Sequence, residues 1–175
     1  HMITLISSTN RPGSLTRKIA LVYQAILTSK SVSPAFLDLA ELPSAFLNAQ
    51  MYDKPKPDFT LGLQDTHFIP ARKFIFILPE YNGSFPGVLK LLIDGLESRR
   101  CFEGKKAALL GVSTGRAGNL RGMDHFSGVL HYMGVSVMPK LAAVSHADTH
   151  LSPEGVADEK LTTLIQNHCQ QFLEY

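Results

Sequence analysis

Short hydrophobic runs alternate along the chain with longer segments in which apolar residues recur at helical spacing. Runs of strand length lie at Ile3–Ser7, Pro34–Leu39, Lys73–Leu78 and Lys105–Val112, and Val135–Val144 contains another. Most are continuously apolar rather than alternating with polar residues, which is typical of parallel strands buried on both faces. The pattern therefore predicts a parallel sheet with helical crossovers between its strands.

The segments between these strands carry the periodicity of amphipathic helices. Helices are predicted over Leu15–Ser29, Val88–Leu96 and Leu120–Met133. A closing helix is expected to start at Ser152-Pro153-Glu154, because a capping hydroxyl, a proline and an acid favour the first turn of a helix. The segment Ala40–Pro70 is the least regular part and holds at most a short helix near Leu61–Phe68.

This order of strands and helices predicts an α/β fold with helices on both faces of the sheet. Its spacing fits a flavodoxin-like three-layer sandwich with a five-stranded parallel sheet in the order 2-1-3-4-5. The rival is a Rossmann dinucleotide fold, but the segment after the first strand, Ser8 to Ser14, lacks the glycine fingerprint. The length of 175 residues suits a single domain over residues 2–175, with His1 interpreted as a remnant of an expression tag.

Composition narrows the class of protein. Hydrophobic residues make up 45% and charged residues 18% of the chain, as in ordinary soluble globular domains. The formal charge of +2, without a Lys/Arg-rich block, gives no reason to expect nucleic acid as a partner. We expect neither a membrane span nor a signal peptide, and therefore a cytoplasmic protein in which Cys101 and Cys169 are free thiols.

A polar loop, Ser7 to Thr16, joins the first strand to the first helix. Helical amides and the helix dipole converge on such a loop, and Arg11 adds a guanidinium to the hydroxyls of Thr9, Ser14 and Thr16. A phosphate monoester binds to such a mixture of short donors and one charge without a metal ion. A well-capped polar loop with no ligand remains an open alternative.

Two further loops follow the third and fourth strands. The first of these, from Pro79 to Lys90, offers the Tyr81 ring and the Asn82 amide, and Gly83 lets backbone approach a flat ring. The other, Gly111 to Asn119, is rich in glycine and is also consistent with an ordinary helix entry. Because the loops follow strands one, three and four, they are expected to meet at the switch point of the sheet.

The loops resemble those of the NADPH-dependent FMN reductase family. The second matches the family pattern PEYNxSxPxxLKxxID as far as Ile93-Asp94, although Phe85 stands where isoleucine or threonine is frequent. The first is similar to S-x-R-x-x-S-x-[NST], with Thr9 in place of serine. The third is similar to the looser S-x-G-x-x-G segment, and the irregular Ala40–Pro70 segment departs from the family pattern.

This resemblance implies an enzyme in which bound FMN passes electrons from NADPH or NADH to a small acceptor, namely a quinone, azo compound, free flavin or metal oxyanion. The flavin carries the chemistry, so no catalytic side chain is assigned. The implied cofactor-binding residues are Thr9, Arg11, Ser14, Leu15 and Thr16 at the phosphate, Pro79, Glu80, Tyr81, Asn82, Gly83 and Ser84 at the ring, and Ser113, Thr114, Gly115 and Gly118 at its pyrimidine end.

Two other classes of protein remain open. A flavodoxin-type electron carrier would bind FMN without oxidising a nicotinamide, although such carriers are usually acidic and lack an arginine in the phosphate loop. A non-catalytic flavodoxin-fold binding module would have lost the cofactor. His146, Asp148 and His150 have a spacing that could bind a metal, but a polar surface loop explains them better and no metal is assigned.

The helices over Val88–Leu96 and Leu120–Met133 carry apolar residues over more of their surface than one sheet face covers. Surplus apolar surface beside the cofactor loops predicts a symmetric homodimer. The resemblance implies a homodimer or homotetramer as well. The alternative is that the Ala40–Pro70 segment covers these side chains.

Overall fold

A twisted parallel sheet in the order β2-β1-β3-β4-β5 forms the centre of the computed structural model. The structure describes residues 2–175 apart from the side chains of residues 45 and 47, so the interpretation of His1 lies outside it. The strands are β1 (Ile3–Ser7), β2 (Ala35–Asp38), β3 (Lys73–Pro79), β4 (Lys106–Val112), β5 (Ser136–Val137) and β6 (Ala142–Val144). The predicted fold class and strand order are confirmed.

The predicted fifth strand consists of two pieces, which the sequence pattern did not separate. β5 pairs with the start of β4 at Lys106 and Ala107, whereas β6 pairs with its end from Leu110 to Val112. Pro139 lies between them and has no amide hydrogen to donate to β4. The sheet therefore has six strands, with β5 and β6 sharing one edge position beside β4.

Helices cover both faces of the sheet. They are α1 (Leu15–Ser29), α2 (Asp58–Leu63), α3 (Gly87–Gly95), α4 (Ser98–Phe102), α5 (Leu120–Tyr132) and α6 (Glu159–Glu174). One core lies under α1 and α6 and is mostly aliphatic, whereas the core under α3 and α5 contains Phe68, Phe74, Phe76, Phe102 and Phe126. Alternate residues of β3 enter the two cores, because successive side chains of a strand point to opposite faces.

The closing helix starts later than the sequence predicted. Ser152, Pro153 and Glu154 form a turn, in which the Ser152 hydroxyl accepts a hydrogen bond from the Val156 amide at 3.2 Å. Gly155 has φ of +87°, which an α-helix cannot accommodate. Asp158 caps α6 instead, since its carboxylate accepts from the Leu161 amide at 2.8 Å.

The irregular segment from Ala40 to Pro70 packs across α3. It forms short 3₁₀ turns at Leu39–Glu41, Ser44–Leu47 and Ala49–Tyr52, followed by α2 and a π-helical turn over Gln64–Phe68. Phe46 and Met51 are buried, and a Cβ on Gly95 would lie 2.8 Å from the Phe46 ring. This segment therefore covers apolar residues of α3 that the sequence alone left unexplained.

Lysines at the opposite edge of the sheet from the loops contact the carboxyl ends of helices. The Lys73 ammonium donates to the Phe172 and Leu173 carbonyls at 2.9 and 3.0 Å, near the end of α6. Lys106 donates to the Tyr175 carbonyl, and Lys105 donates to the Ile69 carbonyl at 3.2 Å. These ammonium groups offset the negative ends of the helix dipoles. Within the described residues, no helix is both long enough and apolar enough to span a bilayer.

A buried Tyr–His pair joins α1 to α6. The Tyr23 hydroxyl and His168 Nδ1 are 3.0 Å apart, and the two rings meet edge to face at 5.8 Å. Burial lowers the pKa of His168 to about 4. The folded chain therefore holds this imidazole neutral at pH values where an unfolded chain would protonate it.

We predict that His168 makes the free energy of unfolding depend on pH. The unfolded chain takes up a proton at the ordinary pKa near 6.5 and the folded chain only near 4, so stability falls as the pH drops through this window. Between pH 7.5 and 5 this group should cost about 2 kcal/mol. His168→Leu should remove that part of the pH dependence in urea unfolding. The matched change at exposed His131, His131→Leu, should retain it, and equal pH slopes for wild type and His168→Leu would refute the assignment.

Candidate active site

A cavity of about 410 Å³ opens at the carboxyl ends of β1, β3 and β4. It is lined by Arg11, Pro12, Gly13, Ser14, Leu15, Thr16, Pro79, Glu80, Tyr81, Val112, Ser113, Thr114 and Gly115. The three loops singled out in the sequence therefore meet at one place. Parallel sheets bind ligands at this edge, where strand order reverses on either side of β1.

The first loop presents hydrogen-bond donors to the cavity. Ser14 caps α1 by accepting a hydrogen bond from the Arg17 amide at 3.1 Å, which leaves its hydroxyl proton available to a ligand. The amides of the first helical turn, at Leu15 and Thr16, have no carbonyl partner within the helix. The Arg11 side chain is exposed, and no carboxylate lies within 4.0 Å of it in the described part of the chain. These groups together suit a phosphate monoester.

A hydrogen bond joins the first loop to the second. The Thr9 hydroxyl and the Tyr81 hydroxyl are 2.6 Å apart, and Thr9 Oγ1 also accepts from the Arg11 amide at 3.2 Å. The Thr9 side chain is buried, with 1% of the residue exposed. Thr9 thus fixes the Tyr81 ring at the cavity wall and does not line the cavity itself.

The second loop turns sharply after Tyr81. The Tyr81 amide donates to the Ser84 carbonyl at 2.9 Å, and the Ser84 amide donates to the Tyr81 carbonyl at 3.1 Å. Asn82 and Gly83 between them have φ of +51° and +75°. Such a turn needs positive φ at both central positions, which Asn-Gly adopts at the least cost. This turn lies beside the cavity, whereas Pro79, Glu80 and Tyr81 line it.

The third loop is shaped by its own serine. The Ser113 hydroxyl donates to the Gly115 carbonyl at 2.9 Å and accepts from the Gly118 amide at 3.0 Å. Gly115 lines the cavity and has room for a Cβ, whose nearest neighbour would be Ser113 Oγ at 3.9 Å. Gly118 is buried behind the loop, where a Cβ would lie 2.7 Å from that of Ala143. Close packing against β6 thus accounts for Gly118.

Asn119, which the sequence interpretation did not assign to the site, connects the second and third loops. It adopts a left-handed conformation with φ of 64° as the cap of α5, and its Oδ1 accepts from the Gly122 amide at 3.1 Å. Its buried Nδ2 donates to the Leu78 and Pro79 carbonyls at 3.0 and 2.9 Å. Asn119 therefore holds the end of β3 against the start of α5.

Most residues assigned from the sequence are brought together by the structure. Ten of them line the cavity, while Thr9, Asn82, Gly83, Ser84 and Gly118 lie around or behind it. Pro12, Gly13 and Val112 line the cavity but were not assigned. All three belong to loops predicted to meet at the site, but none of them carries a polar side chain that would mark it as a ligand-binding residue.

The candidate metal spacing near β6 has another explanation. His150 Nδ1 lies 2.7 Å from Asp158 Oδ2, which ties the loop to the start of α6. Over residues 2–175, no group of three or more His, Cys, Asp or Glu side chains is arranged to hold a metal ion.

Comparison with known proteins gives a consistent result over most of the chain. The family model described as NADPH-dependent FMN reductase matches residues 2–149. An NAD(P)H-dependent FMN reductase of Pseudomonas aeruginosa is 36% identical, over 94% of this chain and 89% of its own length. A 2-hydroxy-1,4-benzoquinone reductase of a Burkholderia species is 27% identical, over 97% of this chain and 93% of its own.

Solved structures agree with the observed architecture. The flavoenzyme FerB of Paracoccus denitrificans, an NAD(P)H:acceptor oxidoreductase, superposes with a TM-score of 0.81 at 25% identity, covering 99% of this chain and 96% of that one. An archaeal flavodoxin has a TM-score of 0.58 at 13% identity, covering 98% of each chain, which shows a shared fold alone. With the family model matched over residues 2–149, the chain belongs to the NADPH-dependent FMN reductase family.

Proposed function

We propose that this chain is an FMN-dependent NAD(P)H oxidoreductase whose acceptors are quinones. The observation that supports this most directly is the meeting of three loops in one cavity, with phosphate donors on the first loop. A quinone is the best supported acceptor, because a relative over 97% of the chain is named a 2-hydroxy-1,4-benzoquinone reductase. The proposal places the enzyme in the cytoplasm, in keeping with two buried free thiols.

The residues of the cavity fit the proposed cofactor. Arg11, the Ser14 hydroxyl and the amides at the start of α1 would hold the FMN phosphate. Tyr81, fixed by Thr9, would border one edge of the ring, and the loop from Ser113 to Gly115 would border its pyrimidine end. When bound, FMN supplies the redox chemistry, accepting two electrons from the nicotinamide and passing them to the acceptor.

The protein itself would then bind the cofactor and hold its ring in a fixed orientation. The turn at Asn82 and Gly83 and the Asn119 hydrogen bonds hold the two loops proposed to border the ring at a fixed separation. A preorganised site avoids the cost of ordering loops on binding. The cavity is open to solvent on its outer side, where Arg11 and Thr114 are exposed, so a second substrate can approach.

A flavodoxin-type electron carrier is less well supported. The shared fold with flavodoxins says nothing about catalysis, and the chain carries Arg11 in its first loop and a formal charge of +2. The relatives that are similar over most of the chain are named as reductases.

Assembly into a homodimer remains part of the proposal. The Ala40–Pro70 segment now accounts for apolar residues of α3, so the support comes from α5, where Leu120 is 52% and Tyr132 is 94% exposed. Exposed apolar side chains at both ends of one helix beside the site are consistent with a partner chain.

We expect the FMN-loaded protein to oxidise NADPH or NADH and to reduce a simple benzoquinone in the same assay. Stopped-flow absorbance of the flavin after mixing with each nucleotide, followed by the quinone, measures both halves of the reaction. A protein that binds FMN but leaves both nucleotides unoxidised would be an electron carrier. One that binds no FMN at all would be a non-catalytic module.

Arg11→Ala should weaken FMN binding by about 1.5–3 kcal/mol, or roughly 10- to 150-fold in Kd, because it removes a charge-assisted hydrogen bond to the phosphate. Riboflavin lacks the phosphate and should bind weakly to both proteins. Titrations followed by flavin fluorescence give the four Kd values. Equal losses for FMN and riboflavin would contradict the phosphate assignment.

Gly115→Ala should lower FMN affinity at least about tenfold while changing the free energy of unfolding by less than about 0.5 kcal/mol. The added methyl would meet no protein atom closer than 3.9 Å, but it would enter the cavity. Gly128→Ala is the matched control, since it also meets no neighbour within 4 Å and lies outside the cavity on α5. Gly83 is a poorer test, because its φ of +75° strains any alanine. Unchanged FMN binding in Gly115→Ala would remove the third loop from the site.

A further inference from the structure

Two side chains of α5, outside the set that lines the cavity, lie beside the Tyr81–Ser84 turn. A Cβ on Gly83 would be 3.4 Å from Nη1 and 3.6 Å from Cδ of Arg121. One helical turn later, His125 Nδ1 lies 3.1 Å from the Ser84 hydroxyl. Residues four apart share one face of a helix, so Arg121 and His125 form a pair along the edge of the second loop.

Both side chains are available to a ligand. Each is exposed, and within residues 2–175 no carboxylate lies within 4.0 Å of the Arg121 guanidinium. When the Ser84 hydroxyl donates to Nδ1, the proton of the neutral His125 ring resides on Nε2, which can then donate to a ligand. In that tautomer the pair offers a permanent positive charge and a ring N–H donor side by side.

The pair is held in a fixed position relative to the cavity. The Phe126 ring, next to His125 in sequence, packs against the Phe85 ring at 5.1 Å and the Phe76 ring at 4.9 Å. Asn119 anchors the start of the same helix to the end of β3. Arg121 and His125 therefore stand on a rigid element at the rim of the proposed ring site.

We propose that Arg121 and His125 bind an anionic oxygen of the electron acceptor, so that the enzyme prefers acidic quinones, such as hydroxyquinones, to neutral ones. This inference rests on the proposed function and names its substrate class. A guanidinium suits a carboxylate or an enolate oxygen, because it presents several donors in a planar fork. Neither residue is assigned a part in binding FMN.

The position of the pair favours the acceptor over the phosphates of the nicotinamide nucleotide. Arg121 contacts the turn that is proposed to border the flavin ring, and the reacting ring of a small quinone carries its oxygens directly. The reacting ring of the nucleotide is an uncharged nicotinamide before oxidation, with a ribose between it and the nearest phosphate. A cation beside the flavin therefore matches the oxygen of the acceptor.

The first test is equilibrium binding, which does not depend on turnover. Benzoate and benzamide have nearly the same shape and differ in charge, and calorimetric titration into the FMN-loaded protein measures both. We expect wild type to bind benzoate at least tenfold more tightly than benzamide. Arg121→Gln should bring this ratio close to one, and His125→Gln should reduce it by about threefold. Arg72→Gln, at an exposed arginine on the opposite edge of the sheet, should leave the ratio unchanged.

The second test is kinetic and separates the two proposals. Arg121→Gln should raise KM for 2-hydroxy-1,4-benzoquinone at least tenfold and leave KM for 1,4-benzoquinone and the FMN Kd nearly unchanged. Equal effects on both quinones, no effect on either, or a selective loss of NADPH over NADH would each overturn the acceptor site. If wild type oxidised neither nucleotide with any acceptor, the proposed function itself would fail, whereas the benzoate titration would still report on the anion site.

Discussion

One buried side-chain amide joins the two loops that form the wall of the site. Asn119 donates to two consecutive carbonyls at the end of β3 and caps α5 with its oxygen, so moving α5 away from β3 would break two side-chain hydrogen bonds. Buried backbone carbonyls left without partners carry a substantial desolvation cost. Two glycines pack tightly in this region: a Cβ on Gly122 would lie 2.1 Å from Asn119 Oδ1, and one on Gly111 would lie 2.1 Å from the Gly118 carbonyl. The position of the third loop, of Arg121 and of His125 depends on this arrangement.

The division of the core into two unlike halves gives this loop region its support. The aromatic half packs α5 against β3 through Phe76 and Phe126, whose rings are 4.9 Å apart. The aliphatic half packs α1, which carries the first loop, against the other face of the sheet. The first and third loops are therefore each followed by a helix that is anchored in its own core, and the Thr9–Tyr81 hydrogen bond joins the first loop to the second at the sheet edge.

Sequence reasoning predicted the features that local chemistry determines. Continuous apolar runs marked β1, β3 and β4, and the spacing of Ile19, Tyr23 and Ile26 marked α1 to its exact ends. The helix start predicted at Ser152-Pro153-Glu154 was wrong, because both Ser152 and Asp158 can cap a helix. In the structure Gly155 has a positive φ and Asp158 caps α6. Asn119 could not be predicted, since its partners lie 40 and 41 positions away in the sequence and depend on the completed sheet. Arg121 and His125 could likewise not be assigned from the sequence, because only the folded chain brings α5 beside the second loop.

The lysines at the opposite edge of the sheet have a consequence for how charged molecules meet this protein. Lys73, Lys105 and Lys106 direct their ammonium groups at carbonyls near helix ends, so much of their field is offset locally. At the edge that holds the cavity, the helix amino ends and the unpaired Arg11 guanidinium have the same sign. Glu80 is the one carboxylate among the residues that line the cavity, and the positive groups around it favour the approach of an anion to this edge. The rate at which an anion reaches this face should therefore depend on electrostatic steering, and it should fall as the ionic strength rises.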